Sequence, residues 1–372
     1  MISKRLALVF LAVALLFERA TGAELRTRNV VLITLDGART QEIFAGLDAD
    51  VLRSTLKKDA KIEESASHRR FWAPTPEERR EKLMPFLWKT LLVRHGSIAG
   101  NRWKGSQVRI VNRHRFSYPG YSEILTGRAR DDEIRSNDKI QNPHPTVLEV
   151  LRRELRVDPR GVAAFASWDV LDVIVEHEAG AITANSGYEP YDHSDPIVRE
   201  LSRLQREAPT PWETVRHDTY TWRFARAHLE THRPRVLYIG LGETDDWAHD
   251  GNYDRVLDAL HRTDGYLREL WSLLEESEGY RGRTTLLIST DHGRGDTTAD
   301  WKDHGEKVEG AQYTWIACFG PDTAERGEWR DAPEVRPDQI AATMCALMGF
   351  DPTALLPEAA PPIQRFIGGK TD

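Results

Sequence analysis

The chain has 372 residues, 40% of them hydrophobic and 29% charged, with a formal net charge of -7 at neutral pH. A chain of this length and composition can bury a large core, which excludes a disordered protein and a multi-span membrane protein. The acidic balance argues against a nucleic-acid polymer as partner, since such binding needs cations that neutralise backbone phosphates; a small substrate is favoured.

At the N-terminus, Lys4 and Arg5 precede an apolar run from Leu6 to Phe17, and Thr21, Gly22 and Ala23 supply small residues near a cleavage point. This layout predicts a secretory signal peptide over residues 1–23, and hence a secreted or periplasmic protein. The run is shorter than the roughly 20 apolar residues that span a bilayer, and no later stretch offers a second candidate. No integral membrane segment is expected after cleavage, an uncleaved N-terminal anchor being the alternative. Export permits disulfides, yet only Cys318 and Cys345 are present. They form either one bridge or two buried free thiols.

Val30 to Leu35 reads as a buried parallel strand, being apolar and β-branched without alternation, and it ends at Asp36 and Gly37. Residues 46–104 are rich in charge and tryptophan and lack strand runs, so they read as an insertion, either a decorating helical flap or a lid. Within it Thr75, Pro76 and Glu78 mark a helix start. In FSYPGYSEILTG, Ser117 lies just before Pro119, at the N-terminus of a helix. Amphipathic patterns predict helices over Val147 to Leu155, Asp218 to His232, Tyr253 to Leu274 and Pro337 to Met348. Further buried strands are expected over Arg235 to Gly240 and Thr284 to Ser289. Strands alternating with helices predict one α/β domain over 24–372: a three-layer sandwich with a largely parallel sheet covered by helices on both faces, plus the helical insertion.

The polar residues at the strand ends carry the chemistry. Ligands of open α/β sheets bind at the carboxyl ends of strands, where Asp36 stands. In ETDDWAH, Asp245 and His249 are one helical turn apart and face the same way, while Asp246 points elsewhere. Asp291 and His292 follow the third strand in STDHGRGD, and His304 follows in WKDHGEK. Three carboxylates and three histidines suffice for two divalent ions, zinc or manganese by donor type. Locally Ser117 is a helix cap; beside two cations, its helix N-terminus favours an oxyanion and a phosphate.

This ordered set resembles the alkaline phosphatase superfamily, nearest to its type I phosphodiesterase / nucleotide pyrophosphatase branch, over Asp36 to His304. The resemblance implies one metal held by Asp245, His249 and His304 and a second held by Asp36, Asp291 and His292, with Ser117 bridging both. It implies a metal-dependent phosphoric ester hydrolase in which Ser117 attacks phosphorus and forms a phosphoserine that water then cleaves. A phosphodiester or nucleotide-like substrate is favoured; a phosphomonoesterase, a phosphoryl transferase or phosphomutase, and more remotely a sulfatase are the alternatives. Where the branch has a threonine nucleophile and an asparagine three residues on, this chain has Ser117 and Gly120. Where sulfatases carry arginine four residues past the nucleophile, it has Tyr121. A phosphate-binding side chain is expected farther on: Asn137, with Asn142, Arg128 and Lys302 as other candidates.

Overall fold

A computed structural model describes residues 25–368. The expected signal peptide lies outside the described residues. In chain order the strands are β1 (Asn29–Leu35), β2 (Gly96–Ala99), β3 (Val108–Arg109), β4 (Val162–Ala166), β5 (Thr183–Ser186), β6 (Val236–Leu241), β7 (Thr284–Ser289), β8 (Tyr313–Thr314), β9 (Ile316–Phe319) and β10 (Gly327–Glu328). Eight form one sheet in the order β10-β2-β9-β7-β1-β6-β4-β5, and β3 pairs with β8 separately. β7, β1, β6, β4 and β5 run parallel, whereas β9 is antiparallel to both β7 and β2.

The strands lack alternation because both sheet faces are covered. Val31, Ile33 and Leu35 of β1 join Leu237, Ile239 and Leu286 in one core. Val30 and Leu32 point the other way, with Val236, Tyr238 and Leu287. The first core is closed by the helices Asp218–His232 and Tyr253–Glu276, the latter through a stripe of Val256, Leu257, Leu260, Leu267, Leu270 and Leu274. The second is closed by Ser117–Thr126, Val147–Leu155 and Ile340–Leu347. This is the expected three-layer α/β architecture.

Two features differ from the sequence reading. The helix expected over Pro337 to Met348 begins as a single 3-10 turn at Pro337–Gln339 and becomes α-helical at Ile340. Residues 46–104 are not free of strands, since β2 enters the main sheet against β9. Its four residues, GSIA, carry one large apolar side chain and leave almost no periodic signal. The rest of that segment belongs to the main core: Phe71, Leu83, Met84, Leu87, Trp88 and Leu91 are buried with the first sheet face. The Thr75 cap forms as expected, its hydroxyl accepting from Glu78 N at 3.2 Å. Cys318 and Cys345 are both free and buried, and burial pushes each thiol up to about 12. Among the described residues no helix is long and apolar enough to cross a membrane.

Candidate metal centre

Because β1, β6 and β7 are parallel and in register, with Leu35 opposite Leu241 and Thr34 opposite Ser289, they deliver their next residues to one edge of the sheet. Asp36 follows β1 directly, and Asp291 and His292 follow β7 by two and three residues. β6 runs into the helix Glu243–His249, which sets Asp245 and His249 one turn apart. The chain can turn after Asp36 because Gly37 takes a left-handed φ of 56°. A Cβ there would stand 2.5 Å from Asp245 Oδ1, so glycine is also required for space.

His292 occupies the middle. Its Nε2 lies 3.4 Å from Asp36 Oδ1, 3.5 Å from Asp291 Oδ2, 3.7 Å from Asp245 Oδ1 and 3.4 Å from Ser117 Oγ. On the outer side, His249 Nε2 is 3.1 Å from Asp245 Oδ2 and 3.0 Å from His304 Nε2. All seven residues expected from the sequence therefore converge. Two groups offer ligand atoms within 4.8 Å of one another: Asp36, Asp291 and His292, and Asp245, His292 and His304. His292 thus stands between the two halves rather than within one alone, whereas Asp246 and the expected ligand His249 are in neither group, His249 reaching the cluster only at Asp245 Oδ2 and His304 Nε2.

The rings are held by bonds that free the inner nitrogens. Nδ1 of His292 donates to Gly293 O at 2.9 Å and Nδ1 of His304 donates to Arg115 O at 3.2 Å, so each Nε2 faces the cluster. Arg115 has a left-handed φ of 54°, a costly conformation two residues before Ser117.

The donor set fits divalent cations. Asp36 Oδ1 and Asp291 Oδ2 are buried and have no hydrogen-bond partner, which is expensive unless something else satisfies them. Burial, and then the charge of Asp36, push the Asp291 carboxyl up to about 8. Burial would lower His292, but Asp291 and Asp36 outweigh it and raise the ring to about 9. Burial, and then the positive charges of His292 and Arg294, hold His304 well below the usual imidazole range, which keeps its lone pair available. Crowded buried carboxylates that draw a proton onto His292, beside a neutral His304, make a site that gains from positive charge.

A model of the type I phosphodiesterase / nucleotide pyrophosphatase family matches residues 47–317. The chain belongs to this family. It is an enzyme of the phosphoric ester hydrolase class. The match takes in Ser117, Asp245, His249, Asp291, His292 and His304 and begins beyond Asp36. Among solved structures, the alkaline phosphatase PafA is similar with 10% identity and a TM-score of 0.56, over 93% of this chain and 100% of that one. The phosphonate monoester hydrolase SpPMH from Silicibacter pomeroyi is 13% identical, with a TM-score of 0.53 over 93% of this chain and 78% of its own. The lipoteichoic acid synthase LtaP from Listeria monocytogenes is also 13% identical, with a TM-score of 0.52 over 87% and 72%. These likenesses show that the chain shares its fold with these proteins. No curated protein sequence matches the chain.

Gly120, a departure from the type I phosphodiesterase pattern, and Tyr121, a departure from the sulfatase one, each have close local contacts. A Cβ at Gly120 would lie 2.4 Å from the Asp291 carbonyl oxygen, so no larger residue fits where the family places asparagine. Tyr121, in the position of the sulfatase arginine, donates its hydroxyl to Asp36 Oδ2 at 2.9 Å. Burial, and then the charges of Asp291 and Asp36, keep this phenol protonated far above its usual range.

The phosphate-binding candidates separate clearly. Asn137 is exposed beside the nucleophile helix, and its Oδ1 accepts from Tyr118 N at 2.9 Å. Asn142 is buried, with its amide committed to Ile174 O. Arg128 pairs with Glu358 at 3.6 Å, and Lys302 is exposed. A cavity of 240 Å³ lies beside Asn137, lined by Tyr118, Ile134, Ser136, Asp138, Ile140 and Gln141. A roomier one of 490 Å³, lined by Arg226, Glu230, Arg268 and Glu269 among others, contains none of these site residues.

Sequence reasoning missed the supports. Glu243, almost wholly buried, accepts from His217 Nδ1 at 3.1 Å, Asp218 N at 3.0 Å and Trp247 Nε1 at 3.2 Å, and also pairs with Arg262. Asp218 in turn accepts from Gly242 N at 2.8 Å, which fixes the start of the helix bearing Asp245 and His249. A carboxylate two residues before Asp245, just past the end of an apolar strand, was the available signal.

Proposed function

We propose that this type I phosphodiesterase family member is an exported hydrolase that cleaves a phosphate ester, a diester or nucleotide-like substrate in preference to a monoester, with Ser117 as nucleophile. One divalent ion, zinc by donor type, would be held by Asp245, His249 and His304, and another by Asp36, Asp291 and His292. The observation that carries this reading is the pair of unpartnered buried oxygens, Asp36 Oδ1 and Asp291 Oδ2, facing a histidine whose Nε2 is 3.4 Å from Ser117 Oγ. When bound, the ions supply Lewis acidity that favours the serine alkoxide and stabilises charge on the phosphoryl and leaving oxygens.

The residues do the rest. Ser117 Oγ forms a bond to phosphorus as the bond from phosphorus to the leaving oxygen breaks; the leaving group departs with a proton, and water then cleaves the phosphoserine to regenerate the hydroxyl. Ser117 is the first residue of a ten-residue helix, so the positive end of the helix dipole favours the phosphoryl oxygens, although Tyr118 N is bonded to Asn137 and Pro119 has no amide proton. Asn137, oriented by its bond to Tyr118 N, donates its NH₂ group to one of them. The cavity beside Tyr118 takes the non-reacting alcohol portion. Tyr121 argues against a sulfatase, because it occupies the arginine position and is committed to Asp36. The apolar leader supports export.

The test is turnover of bis(p-nitrophenyl) phosphate and p-nitrophenyl phosphate by protein stripped of metal and reloaded with zinc or manganese. We expect metal-dependent turnover favouring the diester, and a loss of about 10³-fold or more in Ser117→Ala, since the covalent route disappears. Turnover that ignores metal, or full activity in Ser117→Ala, overturns the reading.

A further inference from the structure

Arg294 stands two residues past His292 and is 2% exposed, and no step above uses it. Its guanidinium reaches two other segments of the site. Nη2 donates to the Asp245 carbonyl oxygen at 3.0 Å and to Asp245 Oδ1, while Nη1 donates to the carbonyl of Lys302, two residues before His304. Gly37 makes room for this arrangement, because a Cβ there would lie 2.8 Å from Arg294 Nε. One side chain on the Asp291–His292 segment therefore fastens both the helix bearing Asp245 and His249 and the loop bearing His304.

We propose that Arg294 is a positioning residue for the metal centre: it sets the orientation of the Asp245 carboxylate and the approach of the His304 loop, so that the ligands are gathered before the ions arrive. The inference rests on the metal-centre reading above. Arginine suits the task because its planar fork presents donors in fixed directions and can serve two acceptors at once, whereas a lysine ammonium is a single point on a flexible stem. Two effects of Arg294 oppose each other. Its charge competes with a cation for Asp245, but its bonds remove the freedom of a carboxylate and a loop that would otherwise have to be ordered on binding. Partners that orient metal ligands are worth roughly 10–100-fold in metal affinity, so orientation outweighs competition.

The test uses the full chain. Zinc affinity is measured by competition with a chromophoric chelator for wild type, Arg294→Met and Arg294→Lys, with circular dichroism to verify folding. Both variants should bind at least one zinc about 10–100-fold more weakly. Lysine should rescue little, because geometry rather than charge is lost. Unchanged or tighter binding by folded Arg294→Met, or full rescue by lysine, overturns the inference while leaving the metal-centre reading intact. A wild-type chain that takes up no zinc overturns both. Should the variants fail to fold, a crystal structure of the zinc-loaded wild type decides. Arg294 bonded to Asp245 and the Lys302 carbonyl supports the role; Arg294 turned away from both overturns it.

Discussion

The two halves of the centre are built differently. Asp36, Asp291 and His292 are at most 4% exposed and follow directly from two neighbouring strands, whereas the His249 side chain is 43% exposed on a short helix and His304 comes from a loop. The inner half inherits its rigidity from the sheet. The outer half depends on Arg294 and on the Glu243–Asp218 network to hold its ligands in place. A half-site fixed by strands pays little to organise and exchanges its ion slowly; one fixed by side-chain bonds opens more easily. Chelation should therefore remove the two ions in separate phases, the outer one first.

The largest expected effect tests the joint between the halves. His292 Nε2 lies within 3.7 Å of carboxylate oxygens from both groups, so His292→Ala should impair both ions together. The loss is several kcal/mol of transition-state stabilisation, about 10³-fold or more in kcat. His249→Ala should instead remove only the outer ion, and added zinc should restore part of the activity. Equal and unrescued losses in the two variants, followed by zinc titration, would erase the distinction between the halves.

Much of this contrast is legible in the sequence, for a physical reason. Strands buried on both faces are continuous apolar runs, and each of the three long ones is followed closely by a carboxylate, so β1, β6 and β7 and their ligands stand out together. β4 is VAAFA, as compatible with a helix as with a strand, and β2 and β9 have four residues each; their place in the sheet is decided by partners far away in the chain. The supports are hidden for the same cause. Tyr121 acts on Asp36 across 85 positions and Arg294 acts on Asp245 across 49, distances at which local pattern carries no information.

A histidine away from the centre separates metal loss from ordinary acid destabilisation. His228 is fully buried, its Nε2 donating to Arg160 O at 2.9 Å and its Nδ1 accepting from the Tyr191 hydroxyl at 2.8 Å. Burial, more than any neighbour, lowers it from 6.5 to about 4, so the folded ring stays neutral where the unfolded one takes up a proton. Its contribution is complete above pH 6.5 and is lost as pH falls toward 4, up to about 3 kcal/mol. Urea unfolding of chelated protein across this window, compared with His228→Gln, should show the acid limb flattened in the variant. An identical limb in both proteins would return the acid sensitivity to the metal ligands.

Tyr121→Phe gives the smallest effect and the sharpest test of the inner half. Asp36 Oδ1 already lacks a partner, and the Tyr121 hydroxyl at 2.9 Å is the side-chain donor to Oδ2. Removing it leaves a buried carboxylate with two bare oxygens, at a cost of about 1–3 kcal/mol when no cation is present. Zinc at the inner half would recover part of that cost, so the melting temperature of the chelated protein should fall more than that of the loaded one. The phenol also orients Asp36, so its loss should speed release of the inner ion and draw the two chelation phases together. The outer phase should be unmoved, because Tyr121 has no bond to Asp245, His249 or His304 among the described residues. If the outer phase shifts instead, the halves are coupled through His292 too tightly to be treated as separate sites.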